Sequence, residues 1–255
     1  MTALEIEVIP ALGDNYVFLI ENDGRTVVVD PGEAAPVLRR LQSRNLRLDE
    51  IWITHRHGDH TGGVAELVGK YGCKVVGPAA EAGAIGGLDV GVEEGDSVGE
   101  GTMRAEVIAT PGHTEGHISY HLPEAKALFC GDTLFVMGCG RLSGDVAPTM
   151  WRSLQKLAAL PEGTRVYCGH EYTLANARFA VSVDGDNQDL QAKARLVGSL
   201  RDQGQPTVPS TIGEERRTNP FLRAGEPALR RSVGMTEDAD AAEVFGALRR
   251  RKDRA

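Results

Sequence analysis

One segment constrains this chain more than any other: I-T-H-R-H-G-D-H-T-G-G, residues 53–63. It holds three of the seven histidines and an aspartate within six positions, and two glycines close it. In an extended segment, side chains two positions apart point to the same side, so His55 and His57 can bind one ion together. Asp59 and His60 then turn toward a second ion. Solvated loops seldom concentrate imidazoles in this way, so the segment predicts a metal site.

Three later segments share one design, in which a short apolar strand ends on a histidine or an aspartate. A-E-V-I-A-T-P-G leads to His113, K-A-L-F-C-G leads to Asp132, and R-V-Y-C-G leads to His170. Strand ends are where rigid scaffolds display ligands. If these strands share an edge, seven ligands meet there, which is too many for one tetrahedral ion and fits two. A carboxylate has two oxygens, so Asp132 suits a position shared by both ions.

The ligand types indicate which metals and which chemistry to expect. Imidazole with carboxylate and no cysteine fits zinc, iron or manganese, so we expect two divalent ions, zinc first. Two ions about 3.5–4 Å apart hold a bridging hydroxide at neutral pH and polarise a carbonyl group. The pattern therefore predicts a hydrolase in which Asp59 and Asp132 help to hold the ions around a hydroxide nucleophile.

Three further polar residues have less decisive surroundings. His117 and His121 are interpreted as ordinary hydrogen-bonding residues, with support of a ligand as the alternative for His117. Asp30, in V-V-V-D-P-G, is interpreted either as a turn residue or as a support for a ligand.

Composition excludes several classes of protein. The 255 residues carry a formal net charge of -8, which argues against a nucleic-acid partner. The charge is uneven: residues 174–255 have a net charge of +2, and Arg249–Lys252 with Arg254 form a basic cluster. No apolar run is long enough to span a bilayer. The four cysteines lack C-x-x-C spacing and no secretory leader is recognisable, so we expect a cytoplasmic protein without a membrane partner.

The hydrophobic patterns predict mixed structure followed by helices. E-I-E-V-I-P-A-L alternates like a strand, and the dipeptide D-G at 23–24 predicts a hairpin between two apolar strands. Helical spacing is found at 34–46, at 65–71 and at 149–160, where Thr149 is expected as the cap. After Glu171 only helices are predicted, at 172–183, 187–203 and 239–251. The order indicates an α+β body with a helical C-terminal module.

The ligand segments resemble a known signature. T-H-R-H-G-D-H is similar to the T-H-x-H-x-D-H signature of the metallo-β-lactamase superfamily, and T-P-G-H-T, G-D-T and G-H match its later ligands in order. The resemblance implies an α+β fold, a four-layer αβ/βα sandwich with a dinuclear metal site at one edge. It also implies the metal ligands: His55, His57 and His113 for the first ion, Asp59, His60 and His170 for the second, and Asp132 as the bridge.

Finer motifs narrow the resemblance. They are G-D-N-Y (13–16), G-D-T-L-F (131–135), G-C-G-R (138–141), V-Y-C-G-H-E-Y-T (166–173), T-V-P-S-T (207–211), N-P-F-L-R (219–223) and L-R-R-R-K-D (248–253). Together they look like the glyoxalase II (hydroxyacylglutathione hydrolase) family over nearly the whole chain. The resemblance implies a catalytic domain at 1–171 and a helical, glutathione-binding domain at 172–255. The implied reaction cleaves S-D-lactoylglutathione to D-lactate and glutathione in methylglyoxal detoxification, and we expect a monomer.

Glutathione bears two carboxylates, which need cationic partners. By resemblance these are Arg141, Arg249 and Lys252, with Tyr172 as a hydrogen-bond donor. Arg249 and Lys252 are three apart on the last predicted helix and so share a face, although R-R-R-K also suits a solvated helix end. Ser143 stands where the family often has tyrosine or phenylalanine. This departure predicts weaker glutathione affinity or a different thiol carrier.

Rival functions are distinguished by particular residues. A lactonase or β-lactamase-type hydrolase would keep the metals but would have no use for the C-terminal cations. A persulfide dioxygenase would use one iron and would not need Asp59 and His60. A ribonuclease would need a basic groove, and a metal-binding regulator would bind metal without turnover. The main alternative is a hydrolase of this fold that acts on another thioester or on a lactone.

Overall fold

The computed structural model describes residues 4–255, so the first three residues of the predicted catalytic domain lie outside the described residues. The described chain divides into two compact units. The first comprises the described residues up to Ala109 together with Thr114–Gly131. The second comprises Thr110–His113 and Asp132–Ala255. Each unit contributes its own predicted ligands, so the two are described in turn.

The first unit is built on a six-stranded sheet whose strands follow chain order. They are β1 (Glu5–Ala11), β2 (Asn15–Asn22), β3 (Arg25–Val29), β4 (Glu50–Trp52), β5 (Lys74–Pro78) and β6 (Val90–Val92). β1 to β3 are antiparallel, and β3 to β6 are parallel. The predicted hairpin is confirmed, because Asn22 pairs with Arg25. Asp23 and Gly24 have φ of 47° and 81°, as a two-residue turn of type I′ requires.

An antiparallel group of strands packs against one face of this sheet within the same unit. It contains β7 (Ser97–Val98), β8 (Ala105–Ala109), β9 (Ile118–Leu122) and β10 (Ala127–Gly131). Trp52 stacks on Tyr120 with ring centroids 5.2 Å apart, and the Tyr120 hydroxyl donates to the carbonyl oxygen of Ile53 at 2.9 Å. The end of β4, where the ligand segment begins, is therefore held by aromatic packing and a buried hydrogen bond.

Helices α1 (Ala34–Ser43) and α3 (Val64–Tyr71) cover the other face of the six-stranded sheet. The unit also contains the short helices α2 (Gly58–Thr61) and α4 (Ala82–Ile85). Val37 and Leu41 on α1 and Leu67 on α3 join the same buried cluster as Ile51 and Val75 on the sheet. Burying a side chain of this size contributes about 1.5–3 kcal/mol. This packing anchors the helices on either side of the ligand segment.

The second unit contains the C-terminal helices and four short strands. Its elements are β11 (Leu134–Phe135), β12 (Gly138–Cys139), α5 (Ala147–Ala158), β13 (Arg165–Cys168), α6 (Thr173–Val183), α7 (Gln188–Asp202), β14 (Ser210–Thr211), α8 (Ile212–Thr218), α9 (Pro227–Ser232) and α10 (Ala241–Asp253). The three helices predicted after Glu171 are confirmed as α6, α7 and α10, with ends that differ by one or two residues.

Two predictions for this unit are wrong. Thr149 does not cap α5, which begins at Ala147 with Val146 in the cap position. Pro148 lies in the first turn, where its missing N–H leaves no bond unmade. Helices are also not the only elements after Glu171, because β14 pairs with β13 through Val166 and Ser210.

Residues 4–255 contain no helix with both the length and the apolar character that a membrane crossing needs. The four cysteines are free thiols and are buried. The described residues are therefore held together without disulfides.

Candidate metal centre

Asp30 supports the ligand segment of the first unit. It follows β3 and is 3% exposed. Its Oδ1 accepts from the backbone N–H of Thr54 at 2.8 Å, and its Oδ2 accepts from the Thr54 hydroxyl at 2.7 Å. His60 Nδ1 lies 3.0 Å from the same Oδ2. A carboxylate only accepts, so we assign the proton of His60 to Nδ1, which leaves the Nε2 lone pair for a metal.

A second relay assigns the proton of His55. The Thr54 hydroxyl gives its hydrogen to Asp30, so its oxygen accepts from His55 Nδ1, 3.0 Å away. His55 Nε2 then carries a lone pair, and it lies 3.0 Å from His57 Nδ1. Two ring nitrogens that converge in this way are the arrangement expected of two ligands to one ion.

Asp59 is held by β2 and by close backbone packing. The side-chain amide of Asn15 donates to the Asp59 carbonyl oxygen at 3.1 Å and to Oδ2 at 3.3 Å. A Cβ at Gly32 would lie 2.0 Å from the Asp59 carbonyl oxygen, and one at Gly62 would lie 2.5 Å from the Gly32 carbonyl oxygen. The glycines of D-P-G and H-T-G-G therefore let two turns meet through their backbones.

The Arg56 side chain lies on a buried carboxylate. Its backbone N–H donates to Glu81 Oε2 at 2.7 Å, and its guanidinium donates to Oε1 at 3.0 Å. Glu81 lies on the 3-10 turn Ala79–Glu81, is 4% exposed and also accepts from the N–H of Gly116 at 3.0 Å. With three donors this carboxylate is well satisfied, so it can hold the backbone between His55 and His57.

The two histidines without a predicted metal role take different positions. His117 is buried and stacks on the ring of His55 with centroids 4.8 Å apart. His121 Nδ1 lies 3.5 Å from Glu106 Oε2. Burial lowers the pKa of His121, and Glu106 opposes that shift. Among residues 4–255, neither histidine belongs to a group of three metal-ligating side chains.

In the second unit, two histidines converge on Asp132. His113 Nε2 and His170 Nε2 each lie 3.4 Å from Asp132 Oδ2. His113 Nδ1 lies 3.0 Å from the carbonyl oxygen of Arg141, which can only accept. The His113 proton is therefore on Nδ1, and the Nε2 lone pair faces Asp132. The three ligands predicted in this unit are thus brought together.

The backbone of Asp132 is tightly enclosed. A Cβ at Gly140 would lie 1.9 Å from the Asp132 carbonyl oxygen and 3.3 Å from His113 Cβ. The N–H of Gly140 donates to the Thr133 carbonyl oxygen at 3.2 Å, and the Thr133 hydroxyl donates to the carbonyl oxygen of Thr110. Residue 140 therefore has to be glycine, because any side chain there would displace the backbone of Asp132.

The ring of His170 is oriented by aromatic stacking. Tyr172 lies parallel to it, with centroids 4.6 Å apart and an interplanar angle of 3°. Between them in sequence, Glu171 accepts from the backbone N–H of Thr207 at 2.9 Å. This hydrogen bond joins the segment V-Y-C-G-H-E-Y-T to the segment T-V-P-S-T. Tyr172 remains 38% exposed and can reach a ligand.

The predicted glutathione contacts all lie in the second unit. Arg141 and Ser143 are exposed. The Lys252 ammonium donates to the Ala175 carbonyl oxygen at 2.8 Å and lies 5.3 Å from the ring centroid of Phe179. Burial lowers the pKa of Lys252, and the nearby positive charge of the Arg249 side chain lowers it further.

Arg249 is more enclosed than its sequence context indicates. It is 4% exposed, and its guanidinium donates to the Cys139 carbonyl oxygen at 3.0 Å and to Asp253 Oδ1 at 2.8 Å. The guanidinium also lies over the ring of Phe221. A direct contact with substrate, as predicted, would require the pair with Asp253 to open.

The donor set fits divalent metal ions. Each of His55, His60 and His113 has its second ring nitrogen fixed by an acceptor, as in most histidines that bind metals. Asp30, His55 and His60 also offer ligand atoms within 4.8 Å of one another. The oxygens of Asp30 already accept three hydrogen bonds, so we interpret Asp30 as the support of this group.

Comparison with known proteins shows which class this site and fold define. The sequence model of the metallo-beta-lactamase superfamily matches residues 11–170, a range that contains all seven predicted ligands. The chain is therefore a member of the metallo-β-lactamase superfamily.

The sequence model of the hydroxyacylglutathione hydrolase C-terminus matches residues 171–255. A hydroxyacylglutathione hydrolase of Rhodopseudomonas palustris (strain BisB5) is 47% identical over 253 residues, which cover 98% of this chain and 99% of that relative. The chain belongs to the hydroxyacylglutathione hydrolase family, which is a family of hydrolases.

Solved structures agree with this placement. ETHE1 from Myxococcus xanthus has a TM-score of 0.66 and 27% identity, and the match covers 98% of each chain. TTHA1623, solved in a di-iron-bound form, has a TM-score of 0.61 and 28% identity, and the match covers 84% of this chain and 99% of that one. The comparisons confirm the predicted α+β metallo-β-lactamase fold with a C-terminal helical region.

Proposed function

We propose that this protein hydrolyses the thioester of S-(2-hydroxyacyl)glutathione, chiefly S-D-lactoylglutathione, to D-lactate and glutathione in methylglyoxal detoxification. One observation carries the proposal: the seven predicted ligands lie in a chain that matches the hydroxyacylglutathione hydrolase family along nearly its full length. The rival lactonase and β-lactamase activities would leave the matched C-terminal region without a use.

We propose that two divalent ions act in this reaction, zinc first, with iron or manganese as alternatives. The assigned ligands are His55, His57 and His113 for one ion, Asp59, His60 and His170 for the other, and Asp132 for both. Ions held by these residues would lower the pKa of a bound water and would stabilise negative charge on a carbonyl oxygen. The fixed second nitrogens of His55, His60 and His113 support this assignment. The di-iron form of the related TTHA1623 supports iron as an alternative.

Side chains and a backbone carbonyl of the protein orient the proposed histidine ligands. Asp30 and Thr54 keep protons on the outer nitrogens of His60 and His55, and the Arg141 carbonyl does so for His113. The leaving group is a thiolate, and thiols have a pKa of about 8.5, so its departure needs little help from an acid. The proposed reaction therefore does not require a dedicated acid for the leaving group.

The glutathione moiety is proposed to bind to the second unit. Arg141 and Lys252 supply positive charge for its carboxylates, and Tyr172 supplies a hydrogen-bond donor. Lys252 uses one of three donors on Ala175, so two can serve a ligand. Arg249 would take part once a substrate carboxylate replaces Asp253. Ser143 offers a small polar group where the family often has an aromatic ring, so we propose a weaker affinity for glutathione, with a different thiol carrier as the alternative.

We also propose a cytoplasmic location and a monomeric state, with no nucleic-acid or membrane partner. The free, buried state of the four cysteines supports a reducing compartment. The formal net charge of -8 supports the absence of a nucleic-acid partner.

Steady-state hydrolysis of S-D-lactoylglutathione tests the proposal, beside the same lactoyl group on a different thiol, with and without a chelator. Efficient, chelator-sensitive turnover that prefers glutathione is the expected result. Turnover without that preference would favour a broader thioester hydrolase. His57→Ala and Asp132→Ala should abolish activity in folded protein, whereas His121→Gln should keep it. Full activity in either ligand variant would contradict the metal assignment.

A further inference from the structure

A short hairpin links two of the proposed functional residues. We call it the 134–139 hairpin; β11 and β12 form it through the pairs Leu134 with Cys139 and Phe135 with Gly138. It begins two residues after Asp132 and ends two residues before Arg141. All six of its residues are buried. The path of its backbone therefore sets where the chain leaves Asp132 and where it reaches Arg141.

A buried carboxylate on α8 holds the turn of this hairpin. Glu215 is 0% exposed, and its Oε2 accepts from the backbone N–H of Met137 at 2.8 Å. The same carboxylate accepts from the Lys193 ammonium at 2.7 Å and from the Ser210 hydroxyl at 2.6 Å. Lys193 balances the buried charge, so the carboxylate can serve as a fixed acceptor for the hairpin.

Three further side chains donate to the carbonyl oxygens of the hairpin. Asn219 Nδ2 donates to Phe135 and Gly138 at 3.1 and 2.9 Å. Asn176 Nδ2 donates to Val136 at 3.1 Å, and Arg249 donates to Cys139 at 3.0 Å.

The four residues that bind the hairpin share one property: each contacts its main chain. They come from four places along the C-terminal helical region: α6, α8, the residue after α8, and α10. Contacts to main-chain atoms fix the path of the backbone whatever side chains the hairpin carries. A Cβ at Gly138 would lie 2.3 Å from Asn176 Nδ2, so the amide also requires glycine there.

The hairpin path reaches a proposed metal ligand through the Arg141 carbonyl. That oxygen accepts from His113 Nδ1, while the N–H of Gly140 closes onto Thr133. A shift of the hairpin would therefore move the acceptor that orients His113, as well as the Arg141 side chain and the backbone beside Asp132.

We infer that Glu215, Asn219, Asn176 and Arg249 are positioning residues, which act through the 134–139 hairpin to place Asp132 and Arg141 for metal and substrate binding. This inference rests on the proposed function for its substrate readout. The helical C-terminal region then has two tasks, because it holds the backbone of the metal ligands besides offering groups to glutathione. A purely structural role would instead lower stability and leave the folded protein's metal affinity and KM unchanged.

Asn176 gives the cleanest test, because its side-chain amide makes one hydrogen bond to the hairpin. Asn176→Ala removes the donor, and the isosteric Asn176→Asp places an acceptor against the Val136 carbonyl. Asn187→Ala is the matched control, since Asn187 caps α7 and donates to the Arg217 carbonyl oxygen in the same unit. It should lower stability without touching the hairpin.

Three readouts separate positioning from stability. In the metal-free protein, hydrogen exchange over residues 132–141 should speed up in both Asn176 variants and stay unchanged in Asn187→Ala. Zinc affinity, measured by chelator competition without substrate, should fall on the order of 10-fold in the Asn176 variants, as for other supports of metal ligands. KM for the thioester should rise more in Asn176→Asp than in Asn176→Ala.

The inference is overturned if the folded Asn176 variants keep wild-type exchange, zinc affinity and KM, or if Asn187→Ala shows the same changes. Exchange and zinc affinity do not depend on the substrate. A wild-type protein that fails to cleave S-D-lactoylglutathione would therefore refute the proposed function and leave this inference to be judged on those two measurements.

Discussion

Replacing Asp30 with asparagine should weaken metal binding at His60 while preserving the fold. The asparagine side chain would have the same shape, and asparagine tolerates the left-handed backbone of this position, where φ is 51°. With its one oxygen directed at the Thr54 N–H, the new NH₂ group would face His60 Nδ1. That group donates, so the His60 proton would move to Nε2, the nitrogen assigned to the metal.

The size of the effect follows from the bonds that are lost. A hydrogen bond to a charged group contributes about 1.5–3 kcal/mol. Loss of the partner behind a metal-bound histidine lowers metal affinity by ~10–100-fold, which corresponds to roughly 1.4–2.8 kcal/mol. The two ranges agree. A smaller effect should also reach His55, because the Thr54 hydroxyl would lose its carboxylate acceptor.

The change in zinc affinity can be measured by competition between the protein and a chromophoric chelator. Asp49→Asn is the matched control, because Asp49 Oδ2 accepts from the backbone N–H of Thr26 at 2.8 Å in the same unit and contacts no histidine through that bond. Asp30→Asn should lose more affinity for the ion assigned to His60 than for the ion assigned to His55, and Asp49→Asn should keep both affinities. Wild-type affinity in Asp30→Asn, or an equal loss in Asp49→Asn, would refute the reasoning.

Three other changes test separate parts of the structure. Gly140→Ala would put a methyl group 1.9 Å from the Asp132 carbonyl oxygen, so kcat should fall by ~100-fold. Gly163→Ala is the control and should leave kcat unchanged, because a Cβ there would meet nothing within 4 Å. Equal kcat in the two variants would contradict this prediction. Burial lowers the pKa of Lys252, so its charge is lost at a lower pH than that of an ordinary lysine. KM for the glutathione thioester should therefore rise with pH, and Lys252→Arg should flatten that rise; an identical profile in the variant would count against a role for Lys252. Burial also lowers the pKa of His121 from 6.5, so the unfolded chain binds more protons and stability falls as pH drops through about 6.5. Thermal unfolding of His121→Gln should depend less on pH, with turnover unchanged, and an unaltered pH dependence would rule out this contribution.

The candidate ligands could be identified from the sequence because the signal is local. Each ligand follows a short apolar strand, and the spacing of His55 and His57 already puts two rings on one side. The D-G turn was equally local, since both turn residues tolerate positive φ. Such features need no knowledge of which distant segments meet.

A supporting role was one of two interpretations of Asp30, but the partners of the supporting residues could not be predicted, because they are far away in the chain. Asp30 meets Thr54 across 24 positions, and Glu215 meets Met137 across 78. In T-I-G-E-E-R-R-T, Glu215 is indistinguishable from a solvated helix residue, yet it is fully buried. Only the tertiary structure brings a lysine and a backbone N–H to it.

The sequence spacing around Arg249 indicated that its side chain is buried, although its charge suggested that it is exposed. It lies four residues after Phe245 and next to Leu248, both fully buried on α10. A residue four positions after a buried one shares its face of a helix, so the spacing already placed Arg249 inward. The basic run R-R-R-K is typical of a solvated helix end. The helical spacing nevertheless places its first residue, Arg249, on the buried face of the helix.

The contact between Gly32 and the Asp59 backbone has a consequence for protein engineering. The seven residues of T-H-R-H-G-D-H cannot be transferred alone, because the backbone of a second turn packs against them. Transplanting them into another parallel sheet would bring along four proposed metal ligands with neither Asp30 to orient His60 nor a glycine to admit the Asp59 carbonyl. A graft of these proposed ligands with their supports therefore has to span two neighbouring strand ends, with D-P-G on one and the histidine segment through Gly62 and Gly63 on the other.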